Sequence, residues 1–203
     1  QKLRYLYLFS FVFGLSLTHH HVILFLTPAL IYWLWVHFRN PKFNPPAGGQ
    51  SSKLLIGRCL ALFGLGLLPY LYLPLAARGS SIINWNRPVD LSGFIRLVTR
   101  TDYGTFVSSG YYGTSLFDRL LQLKAYSQFL LLDFKWIGIG LTFLGLFWLW
   151  RYRKTYFRFW LIAIFFLGPG FFFYASFPLM NRFTVGTYER FLLPSYVLLY
   201  PLL

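Results

Sequence analysis

The chain has 203 residues, of which 57% are hydrophobic, 23% are aromatic and 12% are charged. Soluble domains carry about 25% charged residues, so this composition excludes an ordinary soluble domain. Apolar runs close to the ~20 residues that cross a bilayer recur along the chain, and they predict an all-α, polytopic integral membrane protein. The net charge of +14 would suggest a nucleic-acid partner in a soluble protein. Here the cations stand mainly at the ends of apolar segments, where they orient membrane proteins, so we expect no nucleic acid.

Six apolar segments predict membrane spans within one transmembrane domain over residues 1–203. They lie at about residues 5–17, 22–38, 54–75, 136–150, 157–177 and 191–203. The "GPG" at 168–170 predicts a kink in the fifth segment. Because the chain lacks an initiator Met and stops inside an apolar segment, we interpret it as a piece of a longer protein.

The distribution of charge predicts the orientation. The linker 39–58 and the turn 151–158 each hold four cations and no acid, whereas the long loop 78–135 holds seven cations and four of the five acids. Acid-free basic loops are typical of the cytoplasmic side. The long loop is therefore expected on the periplasmic side of a bacterial inner membrane, or on the luminal side of the endoplasmic reticulum. The turn at His19–His21 falls on that same outer side.

Two amphipathic helices are predicted in the outer loop, where both are able to lie on the membrane surface. Asp90 is placed to cap the first helix, and Ser115 with Asp118 has the spacing of a capping box for the second. The apolar stripes recur at helical offsets such as i, i+3, i+4 and i+7. They consist of Leu91, Phe94, Ile95 and Val98 in the first helix, and of Leu116, Leu120, Leu123 and Leu130 in the second.

Three consecutive histidines, His19 to His21, interrupt an apolar region. Neighbouring positions on a helix point about 100° apart, so the three cannot converge on one metal ion. One histidine alone is enough to ligate a haem or pigment. The other interpretations are a polar turn at the membrane surface and a wet pocket in which neutral imidazoles contact a polar substrate.

Several segments together resemble one family of polytopic membrane proteins. They are "GLSLTHHH", "LLPYLYLPLAARGSSIINWNRP", "GFIRLVTRTDYGT" and "YERFLLPSY". The eukaryotic members of this family are O-mannosyltransferases that act on plexin-type receptor domains, and its many bacterial members are largely uncharacterised. The family belongs to the GT-C superfamily, which uses lipid-phosphate-linked sugars. Its motifs fall on Gly14 and His19–His21, on Asn84, Trp85 and Pro88, on Phe94, Arg100 and Tyr103, and on Arg190, Phe191 and Pro194.

The resemblance implies a GT-C-like membrane domain that moves a sugar from a polyprenyl- or dolichyl-phosphate donor to a protein hydroxyl. Its partners would be the donor, membrane lipid, an acceptor protein and, in a complex, other membrane subunits. No metal or cofactor is required. The superfamily places its catalytic Asp in an earlier outer loop, so we expect the catalytic base outside this chain.

Transfer of this kind needs a carboxylate to take a proton and cations to hold phosphate. Capping is the expected role of Asp90 and Asp118, and Asp133 is expected to pair with Lys135, which leaves Asp102 and Glu189 as acids open to a site role. Snorkelling to the interface is the alternative for the arginines. The candidate substrate-binding residues are His19, His20, His21, Arg78, Arg87, Arg100, Tyr103, Glu189 and Arg190.

A function of another class is also open. The same spans would serve as packing in a non-catalytic subunit of a membrane complex, with a pigment or haem on one of the histidines. A bound chromophore would favour the subunit, and an intact groove for a lipid phosphate would favour the enzyme.

Overall fold

The computed structural model describes residues 2–39, 52–79, 87–101, 115–177, 179 and 182–203. All regular structure within these ranges is helical, which confirms the predicted fold class. The α-helices in chain order are α1 (Lys2–His19), α2 (Thr27–Arg39), α3 (Ser52–Gly66), α4 (Tyr72–Ala77), α5 (Leu91–Val98), α6 (Leu116–Tyr152), α7 (Lys154–Leu167), α8 (Pro169–Ala175) and α9 (Arg182–Leu199). Short 3-10 helices lie at His21–Leu26, Leu68–Leu71 and Tyr200–Leu202.

These elements form two compact units. The first unit contains α1, α3, α4 and α5, together with the 3-10 turn Leu68–Leu71, and it includes His21. The second contains α2, α6, α7, α8 and α9. Whether the units belong to one transmembrane domain stays a prediction.

Glycine allows α1 and α3 to approach closely in the first unit. A Cβ atom at Gly14 would overlap the Phe63 carbonyl of α3, and one at Gly66 would lie 2.7 Å from the Leu15 backbone nitrogen of α1. Small residues permit such backbone contact between membrane helices. Of the two glycines in the "GLG" at 64–66, only Gly66 packs this way, because a Cβ at Gly64 would meet nothing within 4 Å.

The core of the second unit is aromatic and contains buried hydrogen bonds. The rings of Phe172 and Tyr188 are in contact, with centroids 4.3 Å apart and planes tilted by 30°. The Tyr188 hydroxyl donates to the Gln122 carbonyl at 2.8 Å, and Tyr126 shares a hydrogen bond with Ser195. Buried polar groups are costly when they lack partners, so these bonds allow polar side chains to enter an apolar core.

Helix α6 differs from the predicted pattern. The leucine stripe that was predicted for a helix on the membrane surface falls within α6, and its Leu116 and Leu120 are 65% and 50% exposed. The buried face instead carries Gln122, Ala125 and Tyr126, because the hydrogen bonds to Ser195 and Tyr188 draw this polar face inward. The helix continues as far as Tyr152 through a break at Lys135, whose φ is 54°.

Two local predictions are confirmed, and one is wrong. Gly168 separates α7 from α8, as the "GPG" motif predicted. At the start of α6, the Ser115 hydroxyl accepts from the Asp118 backbone N–H at 3.1 Å and donates to the Asp118 carboxylate. The expected pair of Asp133 with Lys135 is not formed; the Asp133 carboxylate accepts a hydrogen bond from Tyr196, which α9 brings within reach.

Among the described helices, two are long and apolar enough to cross a membrane. They are Leu116–Tyr152 and Lys154–Ala175, and a third candidate is Leu54–Gly66 with Leu68–Ala77, a pair bent by 40°. The apolar stretch His21–Val36 is shorter than a span. By length and composition the chain is therefore an integral membrane protein, and the six predicted crossings stay a prediction.

Candidate functional site

The histidine cluster lies where α1 ends. His19 is the last residue of the helix, the His20 backbone N–H still donates to the Ser16 carbonyl at 2.9 Å, and His21 begins a 3-10 helix. The last carbonyls of a helix lack intrahelical partners. One of them, that of Leu17, accepts a hydrogen bond from the Tyr70 hydroxyl at 2.8 Å. A side chain from the turn after α3 therefore caps α1.

Tyr70 also binds a histidine. Its hydroxyl oxygen lies 3.0 Å from Nε2 of His21, and the two rings are 6.3 Å apart at their centroids. Pro69 at the start of the Leu68–Leu71 turn presets a φ suited to that turn. The turn thus brings Tyr70 against the end of α1, and this hydroxyl joins Leu17 to His21.

Helix α5 supplies the positive charge of the site. As predicted, Asp90 is its N-cap and accepts from the Gly93 backbone N–H at 2.6 Å. Arg100 follows the end of the helix with φ 54°, and its N–H donates to the Leu97 carbonyl at 3.2 Å. A positive φ is uncommon for a residue with a side chain. Arg100 is close enough to His20, His21 and the Tyr70 hydroxyl for its charge to act on all three.

The surroundings hold the two inner imidazoles in their neutral form. Burial lowers the pKa of His20 and of His21 from the usual 6.5, and the positive charge of Arg100 lowers both further. Neighbouring His19 and His21 add to the effect on His20. The Val98 backbone carbonyl acts the other way on His21, because it accepts a hydrogen bond from the protonated ring. At neutral pH, Arg100 therefore carries the positive charge of this cluster, whereas His20 and His21 are neutral.

This electrostatic arrangement predicts sensitivity to acid. Above a pH of about 6.5, His20 and His21 are neutral in both the folded and the unfolded chain. As the pH falls below 6.5, the unfolded chain takes up protons before the folded chain does, so the free energy of unfolding decreases until the lowered folded-state pKa values are passed. Reversible unfolding in detergent at about pH 7.5 and about pH 5.5 measures this loss.

The double variant His20→Gln, His21→Gln serves as the control for this titration. It is expected to lose less stability over the same interval than the native chain. Equal losses in the two proteins would contradict a role for these histidines in the acid response.

The remaining predicted site residues are distributed differently. His19 is exposed, with its ring 6.2 Å from that of His20. Arg78 at the end of α4 and Arg87, with φ 33°, are exposed residues of the first unit. Glu189 and Arg190 are exposed on α9 of the second unit. Tyr103 and Asp102 lie outside the described residues, as do Asn84 and Trp85 of the resemblance.

The structure therefore brings together His20, His21 and Arg100, and it adds Tyr70. Sequence reasoning missed Tyr70 because aromatic residues beside a span are typical of interfacial anchors. Its position directly after Pro69 was the available signal, since a proline-initiated turn redirects the chain. In the part of the chain that the structure describes, no three His, Cys, Asp or Glu side chains form a group that could hold a metal ion.

The fold and the site define the class of the chain: an all-helical integral membrane protein with a cationic and imidazole-bearing cluster at helix ends. Comparison with known proteins narrows that class. The chain is 32% identical over 98 residues, 48% of its length, to the mouse Protein O-mannosyl-transferase TMEM260. It is 29% identical over 148 residues, 70% of its length, to the Dictyostelium discoideum Protein O-mannosyl-transferase tmem260.

The chain matches only a part of each relative's length. The chain spans 13% of the mouse protein and 17% of the Dictyostelium protein. No family model matches the chain, and no solved structure matches it. These similarities support a relationship to protein O-mannosyl-transferases over this part of their length.

Proposed function

We propose that the chain is part of a membrane glycosyltransferase that moves a sugar from a polyprenyl- or dolichyl-phosphate donor to a protein hydroxyl. The observation that carries the proposal is the joining of Arg100, His20 and His21 in one cluster of a chain similar to protein O-mannosyl-transferases. An arginine that is always protonated suits the phosphate that leaves with its lipid. Neutral imidazoles suit hydrogen bonds to phosphate oxygens or sugar hydroxyls.

The roles divide according to chemistry. Arg100 would bind the negatively charged phosphate of the donor. The imidazoles would orient the donor through hydrogen bonds to its phosphate oxygens or sugar hydroxyls. Arg78, Arg87, Tyr103, Glu189 and Arg190 are proposed as further contacts to the donor or the acceptor. By the GT-C resemblance, the carboxylate that takes the acceptor proton belongs to an earlier outer loop. The long loop would face the periplasm or the lumen.

The predicted alternative, a non-catalytic subunit with a pigment or haem, has no support from the comparisons.

A transfer assay tests the proposal. The full-length protein that contains this chain is placed in lipid nanodiscs with a polyprenyl-phosphate mannose and a folded receptor domain as acceptor. The proposal predicts mannose on Ser or Thr of the acceptor, detected by peptide mass spectrometry. Nucleotide sugars as donors are the control and are expected to give no transfer. Absence of transfer from any lipid-phosphate donor by folded protein would contradict the proposal.

A further inference from the structure

The turn that joins α6 to α7 carries a concentration of positive charge. Arg151 lies in the last turn of α6, Arg153 stands between the two helices, and Lys154 begins α7. Arg158 follows in the second turn of α7, and all four side chains are exposed. The sequence has no acidic residue from 134 to 188, so neither helix end supplies a carboxylate to pair with them. We call these four residues the basic turn.

The chemistry of the helix ends does not account for this charge. The start of a helix is the positive end of its dipole, where acidic side chains stabilise the helix and cations destabilise it. Helix α7 nevertheless begins with Lys154, has no acid in its first turn, and receives no side-chain hydrogen bond from its N-cap residue, Arg153. Arg151 suits the end of α6, but like charges that lie close together repel each other. An anion from outside the two helices would offset both unfavourable terms.

The basic turn lies at the end of two membrane-crossing helices. It joins Leu116–Tyr152 to Lys154–Ala175, the described helices that are long and apolar enough to span a bilayer. Because one residue separates the two helices, the cations are confined to the level of the lipid headgroups. The distribution of charge predicts the cytoplasmic side for this turn, and the leaflet on that side carries anionic phospholipids. Acidic headgroups are therefore the anions that these side chains would meet.

Aromatic side chains beside the basic turn support the same placement. Trp148 and Trp150 are 53% and 50% exposed, and Tyr152 is 65% exposed. The ring centroids of Trp148 and Tyr152 are 5.8 Å apart, and the guanidinium carbon of Arg151 lies 5.6 Å from the Tyr152 centroid. Exposed Trp and Tyr at the end of an apolar helix are typical of the boundary between acyl chains and headgroups. This cluster of rings indicates that boundary at the end of α6.

We propose that the basic turn is a binding surface for anionic phospholipids, in which Arg151, Arg153, Lys154 and Arg158 contact the phosphate groups of acidic headgroups. Three of the four cations are arginines, which pair with phosphate through charge-assisted hydrogen bonds. Binding is non-covalent. The inference goes beyond sugar transfer and does not depend on it, because none of the four residues belongs to the proposed donor site.

Cross-linking with a lipid probe tests this surface. The full-length protein that contains this chain is titrated in detergent micelles with phosphatidylglycerol that carries a photoreactive headgroup. The yield of labelled peptides from 144–160 gives a Kd for this site, and phosphatidylcholine with the same photoreactive group serves as the neutral comparison. Each cation at an anionic lipid surface contributes about fivefold to the affinity. The double variant Arg151→Gln, Lys154→Gln should therefore weaken phosphatidylglycerol binding about 25-fold.

Two further variants make the result specific. Lys124→Gln, Lys135→Gln removes two exposed cations from the same helix, before its apolar part, and it should leave the Kd at the basic turn unchanged. Arg151→Lys, Lys154→Arg keeps the charge and should retain most of the affinity. Thermal unfolding in detergent checks that each variant is folded. Raising the salt concentration should weaken binding to the native chain, because salt screens exposed charges.

The outcomes are distinct. Preferential labelling by phosphatidylglycerol that is lost in Arg151→Gln, Lys154→Gln and kept in the control supports the inference. Equal labelling by the two lipids, or equal weakening by the two charge-removing variants, overturns it. A basic turn that cross-links to another segment of the protein and to neither lipid also overturns it. If a duplex oligonucleotide protects these peptides while phosphatidylglycerol does not label them, the partner is a nucleic acid and the lipid assignment is wrong.

Discussion

Arg100→Ala is expected to weaken binding of polyprenyl-phosphate mannose about 100-fold. Arginine pairs with phosphate through charge-assisted, commonly bidentate hydrogen bonds. Loss of hydrogen bonds to a charged group costs up to about 3 kcal/mol, which is about 100-fold in Kd. In this cluster Arg100 is the cation whose field reaches His20, His21 and the Tyr70 hydroxyl. Fluorescence titration of the full-length variant with labelled donor measures the change.

Two further variants make this result specific. Arg100→Lys keeps the charge and loses the planar fork, so an intermediate loss of affinity is expected. Arg96→Ala removes an exposed arginine from α5, the helix that ends two residues before Arg100. The charge of Arg96 is not among those acting on the two inner histidines, so this variant should bind the donor almost normally. Equal weakening by Arg96→Ala and Arg100→Ala would indicate general surface attraction and would contradict a defined phosphate site.

Gly66→Ala is expected to lower the free energy of unfolding by about 1 to 3 kcal/mol, the range for overpacking a well-packed interior. The added Cβ would overlap the Phe11 carbonyl and lie 2.7 Å from the Leu15 nitrogen, so α1 and α3 would have to separate. Tyr70 follows Gly66 by four residues and His21 follows α1, so the same separation should weaken donor binding. Reversible unfolding in detergent and donor titration measure the two effects.

Gly64→Ala is the matched control in the same helix. A Cβ at Gly64 meets nothing within 4 Å, and alanine is a better helix former than glycine by up to about 1 kcal/mol. This variant should therefore be as stable as the native chain or slightly more stable. If both variants lose stability equally, the close contact of α1 with α3 is not what Gly66 provides.

Features that depend on local sequence were predictable. The first amphipathic helix follows from its apolar spacing and from Asp90, and the structure has α5 from Leu91 to Val98 with that residue as its cap. The break at Gly168 follows from glycine and proline chemistry within four residues. In each of these cases the determining interactions lie inside one short segment, which is what a sequence pattern records.

Features that depend on long-range hydrogen bonds were not predictable. The buried face of α6 is chosen by Ser195 and Tyr188, which lie more than sixty positions further along the chain. Tyr70 reaches His21 across 49 positions. An apolar stripe indicates which residues avoid water, but in a membrane protein that stripe can face lipid as readily as a core. The exposed Leu116 and Leu120 illustrate this ambiguity.

Within the candidate site, most of the residues were predictable from the sequence, but the contacts between them were not. The histidines and Arg100 were singled out by position and by resemblance, and the structure places His20, His21 and Arg100 in one unit. The exclusion of a three-histidine metal site followed from helix geometry alone. The two contacts of the Tyr70 hydroxyl, with Leu17 and with His21, follow from no spacing rule.

The most direct test of the central claim is to map where the lipid phosphate binds. A polyprenyl phosphate with a photoreactive group beside its phosphate is cross-linked to the full-length protein, and the labelled peptides are identified by mass spectrometry. The account predicts labels on the segments around His20, Tyr70 and Arg100, and their loss when unlabelled donor is added in excess. Labels confined to other segments, or labels at these segments that excess donor does not displace, would contradict it.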